Sequence, residues 1–160
     1  RLTLIIVGCA SGGGKKPSDS NPSSGSLLND GKTIQSIAVS YDEANLKPEV
    51  LSALKQFSVD RKLDTQIRNA SKAIADSGTL TVKAVVTDMR LRSTHSAIWL
   101  GSMAGADWIA VSVEIFENGQ PVKSFDTSTS TIYGGFAYAG RERRIDRMTL
   151  DLGKKVAKGI

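Results

Sequence analysis

The segment from residue 11 to residue 26 most constrains what this chain can fold into, because it contains no side chain that could join a hydrophobic core. Three consecutive glycines, two prolines and six serines make up most of it. Such a segment cannot bury enough apolar surface to offset the entropy lost on ordering, so it is predicted to be a flexible tether. The folded part is therefore predicted to be a single domain over residues 32–160, a length that suits one hydrophobic core.

A short apolar run stands before the tether. Arg1 is followed by the run from Leu2 to Val7, which is apolar except at Thr3, and then by the small residues around Cys9. Six residues rise only about 9 Å as a helix, which is too short to span a hydrocarbon core of roughly 30 Å. A cationic residue, an apolar stretch and small residues at a cleavage point are instead the parts of a secretory signal peptide.

The string Ile6-Val7-Gly8-Cys9 resembles the bacterial lipobox, whose cysteine is acylated and becomes the first residue of the mature protein. The resemblance implies that residues 1–8 are the remainder of a signal peptide, and that residues 9–31 are a lipidated Cys9 with its linker. A cysteine is needed because only a thiol can form the thioether to diacylglycerol. The alternative reading of the residues is that Cys9 is a small buried side chain on a first strand.

The acyl chains would hold the domain on a membrane without a spanning helix, since each buried CH₂ contributes about 0.8 kcal/mol. Ala10 rather than Asp follows the cysteine. By the familiar bacterial sorting rule, the resemblance then implies delivery to the outer membrane. The predicted location is the periplasmic side of the bacterial outer membrane, with a lipid anchor.

The chain has one cysteine and one histidine, and this scarcity removes several chemistries. Disulfide frameworks, Cys/His zinc sites and Cys–His catalytic pairs need more of these residues, unless a second chain supplies them. No Gly-x-Ser-x-Gly motif accompanies His95, which we interpret as a loop residue. No metal, no cofactor and no enzymatic activity are therefore expected. The net charge of +5 is too small to indicate nucleic acid as a partner.

Alternating apolar residues predict four strands in the folded part. The first three cover residues 34–41, 79–89 and 108–117. Asn118-Gly119 then gives the strongest short hairpin signal, since a type I′ turn needs positive φ at both central residues. The fourth strand, residues 120–131, should return antiparallel to the third, with its Ser and Thr positions at a solvent-facing edge.

Apolar residues at helical spacing predict helices on either side of the last three strands. Pro48 stands at a helix start, and a second helical face should stop at Ser77-Gly78. Whether these two helices are continuous or break near Ser58 is left open. The second helical face consists of Leu63, Ile67, Ala70 and Ile74. The stripe of a C-terminal helix consists of Ile145, Met148, Leu152, Val156 and Ile160.

The order strand, helix, helix, three strands, helix predicts an α+β fold. The expected architecture is a mostly antiparallel sheet of about four strands, with helices packed on one face and a disordered tether before the domain.

Four aromatic residues beside the glycine-rich turns are candidate interface residues. The chain has two Trp, three Tyr and four Phe, so a concentration of them in loops favours a contact surface. The four candidates are Trp99, Tyr133, Phe136 and Tyr138.

A basic stripe on the C-terminal helix is a candidate contact for an anionic surface. Residues 141–160 hold seven Lys or Arg and three acidic residues, whereas residues 9–140 hold thirteen of each. The stripe consists of Arg143, Arg147, Lys154 and Lys158. It could meet anionic phospholipid or lipopolysaccharide, at about 1 kcal/mol per basic residue. The alternative is a solvated helix face whose cations complement the helix dipole.

Features of the folded part also resemble the small uncharacterised envelope lipoproteins of Gram-negative bacteria. They are the Leu80-Thr81-Val82 strand, the loop with Arg90, the approach to Asp107-Trp108, the Asn118-Gly119 hairpin and the Ser/Thr strand ending at Gly134-Gly135. The chain is similar to a domain-of-unknown-function lipoprotein family and, more distantly, to YajG-like and ABC-transport auxiliary lipoproteins. The resemblance implies a non-enzymatic envelope role with an envelope protein as partner, and leaves a homo-oligomer open.

Two functions from different classes follow. The first is a membrane-tethered binding or assembly module for a periplasmic or outer-membrane complex, in which lipidation supplies local concentration and loops supply specificity. The alternative is a hydrolase of an envelope polymer that uses Asp and Glu for acid–base work. The hydrolase predicts a pair of buried carboxylates in a concave site. Scattered exposed acids, such as Asp42, Glu43, Asp60 and Asp64, together with an apolar loop surface, would favour binding.

Overall fold

The computed structural model describes residues 27–72, 74–93, 105–131 and 140–160, which form an α+β fold as predicted. Within these ranges a 3-10 turn at Leu27–Asp30 precedes four strands and three helices. The strands are β1 (Ile34–Tyr41), β2 (Leu80–Arg90), β3 (Asp107–Glu117) and β4 (Gln120–Thr131). The helices are α1 (Pro48–Gln56), α2 (Val59–Ser71) and α3 (Arg141–Gly159). The 3-10 turn lies within the last residues of the range predicted to be linker.

The four strands form one sheet in the order β1-β2-β3-β4. β1 pairs with β2 in parallel, while the β2–β3 and β3–β4 pairs are antiparallel. The parallel pair follows from the chain order, because the crossover through α1 and α2 returns the chain to the same end of the sheet. The sheet is therefore mixed and mostly antiparallel, and β4 is the solvent-facing edge that its Ser and Thr residues predict.

The turn between β3 and β4 has the predicted geometry. Asn118 has φ 50° and Gly119 has φ 82°, so both central residues of the hairpin adopt positive φ. Asn tolerates this left-handed conformation better than most residues, and Gly adopts it without a steric penalty. The turn fixes the register of the two strands, and Glu117 pairs directly with Gln120.

One face of the sheet is buried beneath the helices. The alternating residues Val82, Ala84 and Val86 of β2 are fully buried, while Lys83 between them is exposed. The whole predicted apolar stripe of α3 is buried against this face, from Ile145 to Ile160. None of the helices within the described ranges is long and apolar enough to cross a membrane.

Helix α2 begins at one of the two alternatives left open by the sequence and ends earlier than predicted. It begins after a break at Ser58, which adopts the left-handed conformation with φ 49° and ψ 47°, and this settles that α1 and α2 are separate helices. It ends at Ser71 because Lys72 is also left-handed, with φ 52°. The predicted continuation to Ser77-Gly78 is wrong, since Ile74 leaves the helix and forms a parallel bridge with Ile34.

Helices α2 and α3 lie side by side at unusually close range. A Cβ added at Gly153 would lie 2.6 Å from the Gln66 Cβ and 2.8 Å from the Gln66 backbone carbon. Only glycine leaves room for that approach, although it lowers the intrinsic helix propensity of α3 by roughly 1 kcal/mol. The helical contact therefore explains why a glycine stands inside the last helix.

The elements share two ends, which we name the tether pole and the loop pole. The tether pole holds the starts of β1 and β2, the β3–β4 turn and the C-termini of α2 and α3. Leu27, the first described residue, donates its backbone N–H to the carbonyl of Ile160 there. The loop pole holds the end of β2, the start of β3, the end of β4 and the start of α3. The 19 residues of α3 separate the poles by about 28 Å.

Candidate functional site

Two stretches of chain connect elements whose described ends lie at the loop pole. Residues 94–104 join β2 to β3, and residues 132–139 join β4 to α3. They carry the four predicted interface residues Trp99, Tyr133, Phe136 and Tyr138, which lie outside the described residues, as Cys9 does. The residues that flank both stretches are described, and they show how the bases of the two stretches are held.

A buried ionic cluster occupies these bases. It consists of Arg92, Asp107 and Arg144, and we name it the loop-base cluster. Arg92 follows β2, Asp107 is the first residue of β3, and Arg144 lies in the first turn of α3. Their exposed fractions are 5%, 0% and 1%, respectively. One cluster thus joins three elements that are distant in sequence.

The carboxylate of Asp107 accepts four hydrogen bonds. Its Oδ1 accepts from the backbone N–H of Arg92 at 2.6 Å and from the Arg92 Nε at 3.3 Å. Its Oδ2 accepts from the Arg92 Nη2 at 3.3 Å and from the Arg144 Nη1 at 2.7 Å. The guanidinium of Arg92 therefore donates to both carboxylate oxygens of Asp107, through Nε and Nη2. This paired geometry makes Arg–carboxylate contacts strong and directional.

Arg144 extends the cluster into the backbone of the first stretch. Its Nη2 donates to the carbonyl oxygen of Arg92 at 2.9 Å. Its Nε has no hydrogen-bond acceptor among the described residues, although it is buried. Asp107 is also paired with Thr131 across the sheet, so the end of β4 is held beside the same cluster.

Among the described residues, the guanidiniums of Arg92 and Arg144 share one carboxylate, that of Asp107. Residues 94–104 and 132–139 contain no Asp or Glu that could add a second carboxylate. Removing a buried ion from water costs several kcal/mol, and this cost is offset only when its partner and hydrogen bonds are in place. The stability of the loop pole therefore depends on the single carboxylate of Asp107.

The sequence contained a signal for this cluster that the predictions missed. Asp107 is in phase with the buried positions of β3, two residues before Ile109. Arg144 lies four residues before Met148, on the buried face of α3. A charged residue in phase with an apolar stripe indicates a buried charge, which must have a partner.

A second polar feature near the loop pole is a cleft of about 510 Å³ beside the end of β1. Tyr41 lies in it and donates its hydroxyl to the Asp60 Oδ1 at 2.6 Å. The same hydroxyl accepts the backbone N–H of Asp60 at 3.1 Å. Burial, and then the hydrogen bond to Asp60, raise the pKa of Tyr41 to about 12. Tyr41 thereby fixes the first turn of α2 to β1.

Three of the acidic residues that the sequence analysis treats as exposed each have a local partner. Asp42 accepts from Asn45, and Glu43 pairs with Lys55 at 2.7 Å. Asp64 pairs with Arg68 at 2.7 Å. Over the described ranges, Asp107 is the only buried carboxylate, and no three of the His, Cys, Asp and Glu residues are grouped to hold a metal ion.

All four residues of the predicted basic stripe are exposed, but two of them lie near one pole and two near the other. Arg143 and Arg147 lie near the loop pole, and Arg147 pairs with Asp151 at 3.5 Å. Lys154 and Lys158 lie at the tether pole, where they line a groove. About 16 Å of helix separates Arg143 from Lys154.

Comparisons with known proteins found similarity in solved structures. No protein-family model matches the chain, and no curated protein matches it either. A PelC dodecamer from Paraburkholderia phytofirmans has 13% identity and a TM-score of 0.49, covering 81% of this chain and 88% of its own. A protein described as a "putative lipoprotein" from Caulobacter crescentus has 15% identity and a TM-score of 0.47, with 78% and 84% covered.

A third similar structure is a Xanthomonas campestris protein of the DUF330 family. It has 9% identity and a TM-score of 0.49, and the match covers 79% of this chain and 81% of that protein. Because all three TM-scores are below 0.5, no functional conclusion is drawn from them.

Replacing Asp107 tests the charge balance of the loop-base cluster. We expect Asp107→Asn to lower the free energy of unfolding by about 3 kcal/mol or more, because it removes the carboxylate that pairs with both buried guanidiniums. Arg144→Met alone should cost less, since Asp107 keeps its bonds to Arg92. In the Asp107→Asn background, Arg144→Met should raise stability, because it removes an unpaired charge. Urea unfolding of the four proteins measures these differences.

The matched control is Asp126→Asn, which neutralises an exposed carboxylate on β4. It should change stability by no more than about 0.5 kcal/mol. A further loss of stability when Arg144→Met is added to Asp107→Asn would contradict the charge-balance account.

The raised pKa of Tyr41 predicts how stability depends on pH. The unfolded chain releases this proton near the ordinary value of 10.0, whereas the folded protein keeps it until about 12. Above pH 10 the unfolded state binds fewer protons, so this contribution to stability is present below 10 and is lost as pH rises towards 12. We expect the stability advantage of the wild type over Tyr41→Phe to shrink over that interval, as measured by urea unfolding from about pH 8 to about pH 11. Parallel pH profiles of the two proteins would exclude the hydroxyl as the cause.

Proposed function

We propose that this protein is a lipid-anchored module of the bacterial cell envelope that binds a protein partner and has no enzymatic activity. Its anchor would be the acylated Cys9, on the periplasmic side of the outer membrane. Its partner would be another envelope protein, bound through Trp99, Tyr133, Phe136 and Tyr138 at the loop pole.

The observation that carries the proposal concerns two described parts of the fold, which lie at opposite ends of α3: the residues that flank residues 94–104 and 132–139, and Leu27. Leu27, where the chain enters the domain from the side of Cys9, is bonded to Ile160 at the tether pole. The stretches with the aromatic candidates begin and end at the loop pole, about 28 Å away along the 19 residues of α3. A domain anchored at one pole can present the other to a partner, and the anchor raises the local concentration of the binding surface.

The loop-base cluster supports binding rather than catalysis. It fixes the residues next to both stretches with charge-assisted hydrogen bonds, and such pre-organisation reduces the entropy lost when a surface binds. A fixed base joined in sequence to two stretches that contain aromatic residues suits a protein contact, because aromatic side chains supply much of the binding energy at interfaces.

The hydrolase alternative finds less support. It requires two carboxylates in a concave site, one to donate and one to accept a proton. Within the described residues, the single buried carboxylate is that of Asp107, and both of its oxygens are occupied by Arg92 and Arg144. The proposal accordingly assigns no catalytic residue.

Crosslinking and affinity capture from membranes test the proposed binding surface. We expect the wild type to recover a specific envelope protein. A variant with alanine at all four aromatic candidates should lose it, because truncating interface hot spots costs about 2 kcal/mol each. The variant must keep the thermal stability of the wild type. Recovery of further copies of the same chain would identify self-association instead.

Phe116→Ala is the matched control, since Phe116 lies on the sheet face that the helices leave open, and it should preserve capture. Cys9→Ser should incorporate no palmitate and should recover less partner from membranes. Undiminished capture by the four-alanine variant, or hydrolysis of a cell-wall polymer by the purified wild type, would overturn the proposal.

A further inference from the structure

We propose that the tether pole docks on anionic phospholipid headgroups through a groove lined by lysines. This inference rests on the proposed lipid anchor and assigns a second contact to the same membrane. The lysine groove, defined by Leu28, Lys72, Lys154 and Lys158, has a volume of about 450 Å³. It lies between the 3-10 turn, the end of α2 and the last turns of α3.

The charged residues that line the lysine groove are all cationic. All three lysines are exposed, and the other residues that line the groove are uncharged. Within the described part of the chain, none of the three lysines forms an ion pair or hydrogen bond through its ammonium group. Elsewhere on α2 and α3, in contrast, Lys62 and Arg147 are paired with acidic residues. The lysine groove is therefore a local concentration of cations that can receive anions.

The helix dipole accounts for only part of this arrangement. Lys158 lies in the last turn of α3 and Lys72 caps α2, where a cation is favoured beside the helix C-terminus. Lys154 stands more than one turn before the end of α3, and the dipole effect has decayed there. An anionic surface that attracts all three lysines explains the position of Lys154 as well as the positions of Lys72 and Lys158.

The position of the lysine groove relative to the anchor identifies the partner as a membrane. Leu27 adjoins the groove through Leu28, and 17 residues lie between Cys9 and Leu27. A chain of that length spans at most about 65 Å. Of the described surface, the tether pole is the part that joins the chain leading to Cys9. When Cys9 is anchored, the lysine groove is therefore within reach of an anionic membrane surface.

The chemistry of the lysine groove fits phospholipid headgroups. Each lysine ammonium can meet a phosphate, and its aliphatic stem can rest against the apolar side chain of Leu28. Near an anionic membrane surface, a basic residue increases binding about fivefold, the ratio that corresponds to about 1 kcal/mol. Docking would turn the loop pole away from the membrane, and Arg143 and Arg147 would take no part.

Fluorescence quenching by the membrane surface tests this inference on the acylated full chain. The vesicles contain phosphatidylcholine with about one third phosphatidylglycerol and a trace of lipid with a nitroxide headgroup. Because acylated Cys9 has no free thiol, a fluorophore can be placed through Asn69→Cys in the groove or Ser130→Cys at the loop pole. We expect strong quenching at residue 69 and weak quenching at residue 130. In about 1 M salt, where the screening length is about 3 Å, the difference should largely disappear.

Charge reversal provides the matched variants. Lys154→Glu/Lys158→Glu should lower the ratio of docked to undocked protein by at least about 25-fold, the product of two fivefold contributions. Arg143→Glu/Arg147→Glu makes the same change in net charge on the same helix and should leave the quenching unchanged. Thermal unfolding confirms that both variants keep the fold.

The possible outcomes distinguish a failure of the proposed anchor from a failure of the proposed docking of the lysine groove. Native protein that does not float with neutral phosphatidylcholine vesicles contradicts the anchor and, with it, the proposed function. Protein that floats but is quenched equally at residues 69 and 130 overturns the docking of the lysine groove and leaves the anchor intact. Equal effects of the two charge reversals would overturn it as well.

Discussion

The buried carboxylate of Asp107 is the interaction on which the architecture of the loop pole depends. It joins β2, β3 and α3 by accepting hydrogen bonds from Arg92 and Arg144. No apolar contact could replace it simply, because each guanidinium would then be buried without a counter-charge. The same cluster determines where the two stretches at this pole leave the fold and where they return.

The sheet and helices connect the loop pole to the tether pole. The apolar stripe of α3 is buried from one pole to the other, so the helix couples the loop-base cluster to the carbonyl of Ile160 that receives Leu27. Close contact at Gly153 holds α2 beside α3. The packed length of α3 therefore separates the point where the chain enters the domain from the loop pole.

The sequence predicted the parts of the fold that depend on periodicity and turn chemistry. The alternation in the strands, the stripe of α3 and the positive φ of Asn118 and Gly119 all follow from local residue choice.

Local pattern could not predict the end of α2, because Ile74 leaves the helical face to pair with Ile34 on a distant strand. It also could not assemble the loop-base cluster, whose members come from three elements. The phase of Asp107 and Arg144 on buried faces signals burial, but only tertiary packing supplies the partner. The exposed stripe on α3 was predicted, whereas its division between two poles depends on how α2 and the 3-10 turn pack around Lys154 and Lys158.

Site-specific photo-crosslinking in cells tests the central claim most directly, because it reports what each pole touches in the anchored protein. A photoreactive residue replaces exposed Arg141 at the loop pole or exposed Gln120 at the tether pole. We expect a discrete protein adduct from position 141, and a lipid adduct without a discrete protein adduct from position 120. A protein adduct from position 120 with none from position 141 would contradict the assignment of the two poles.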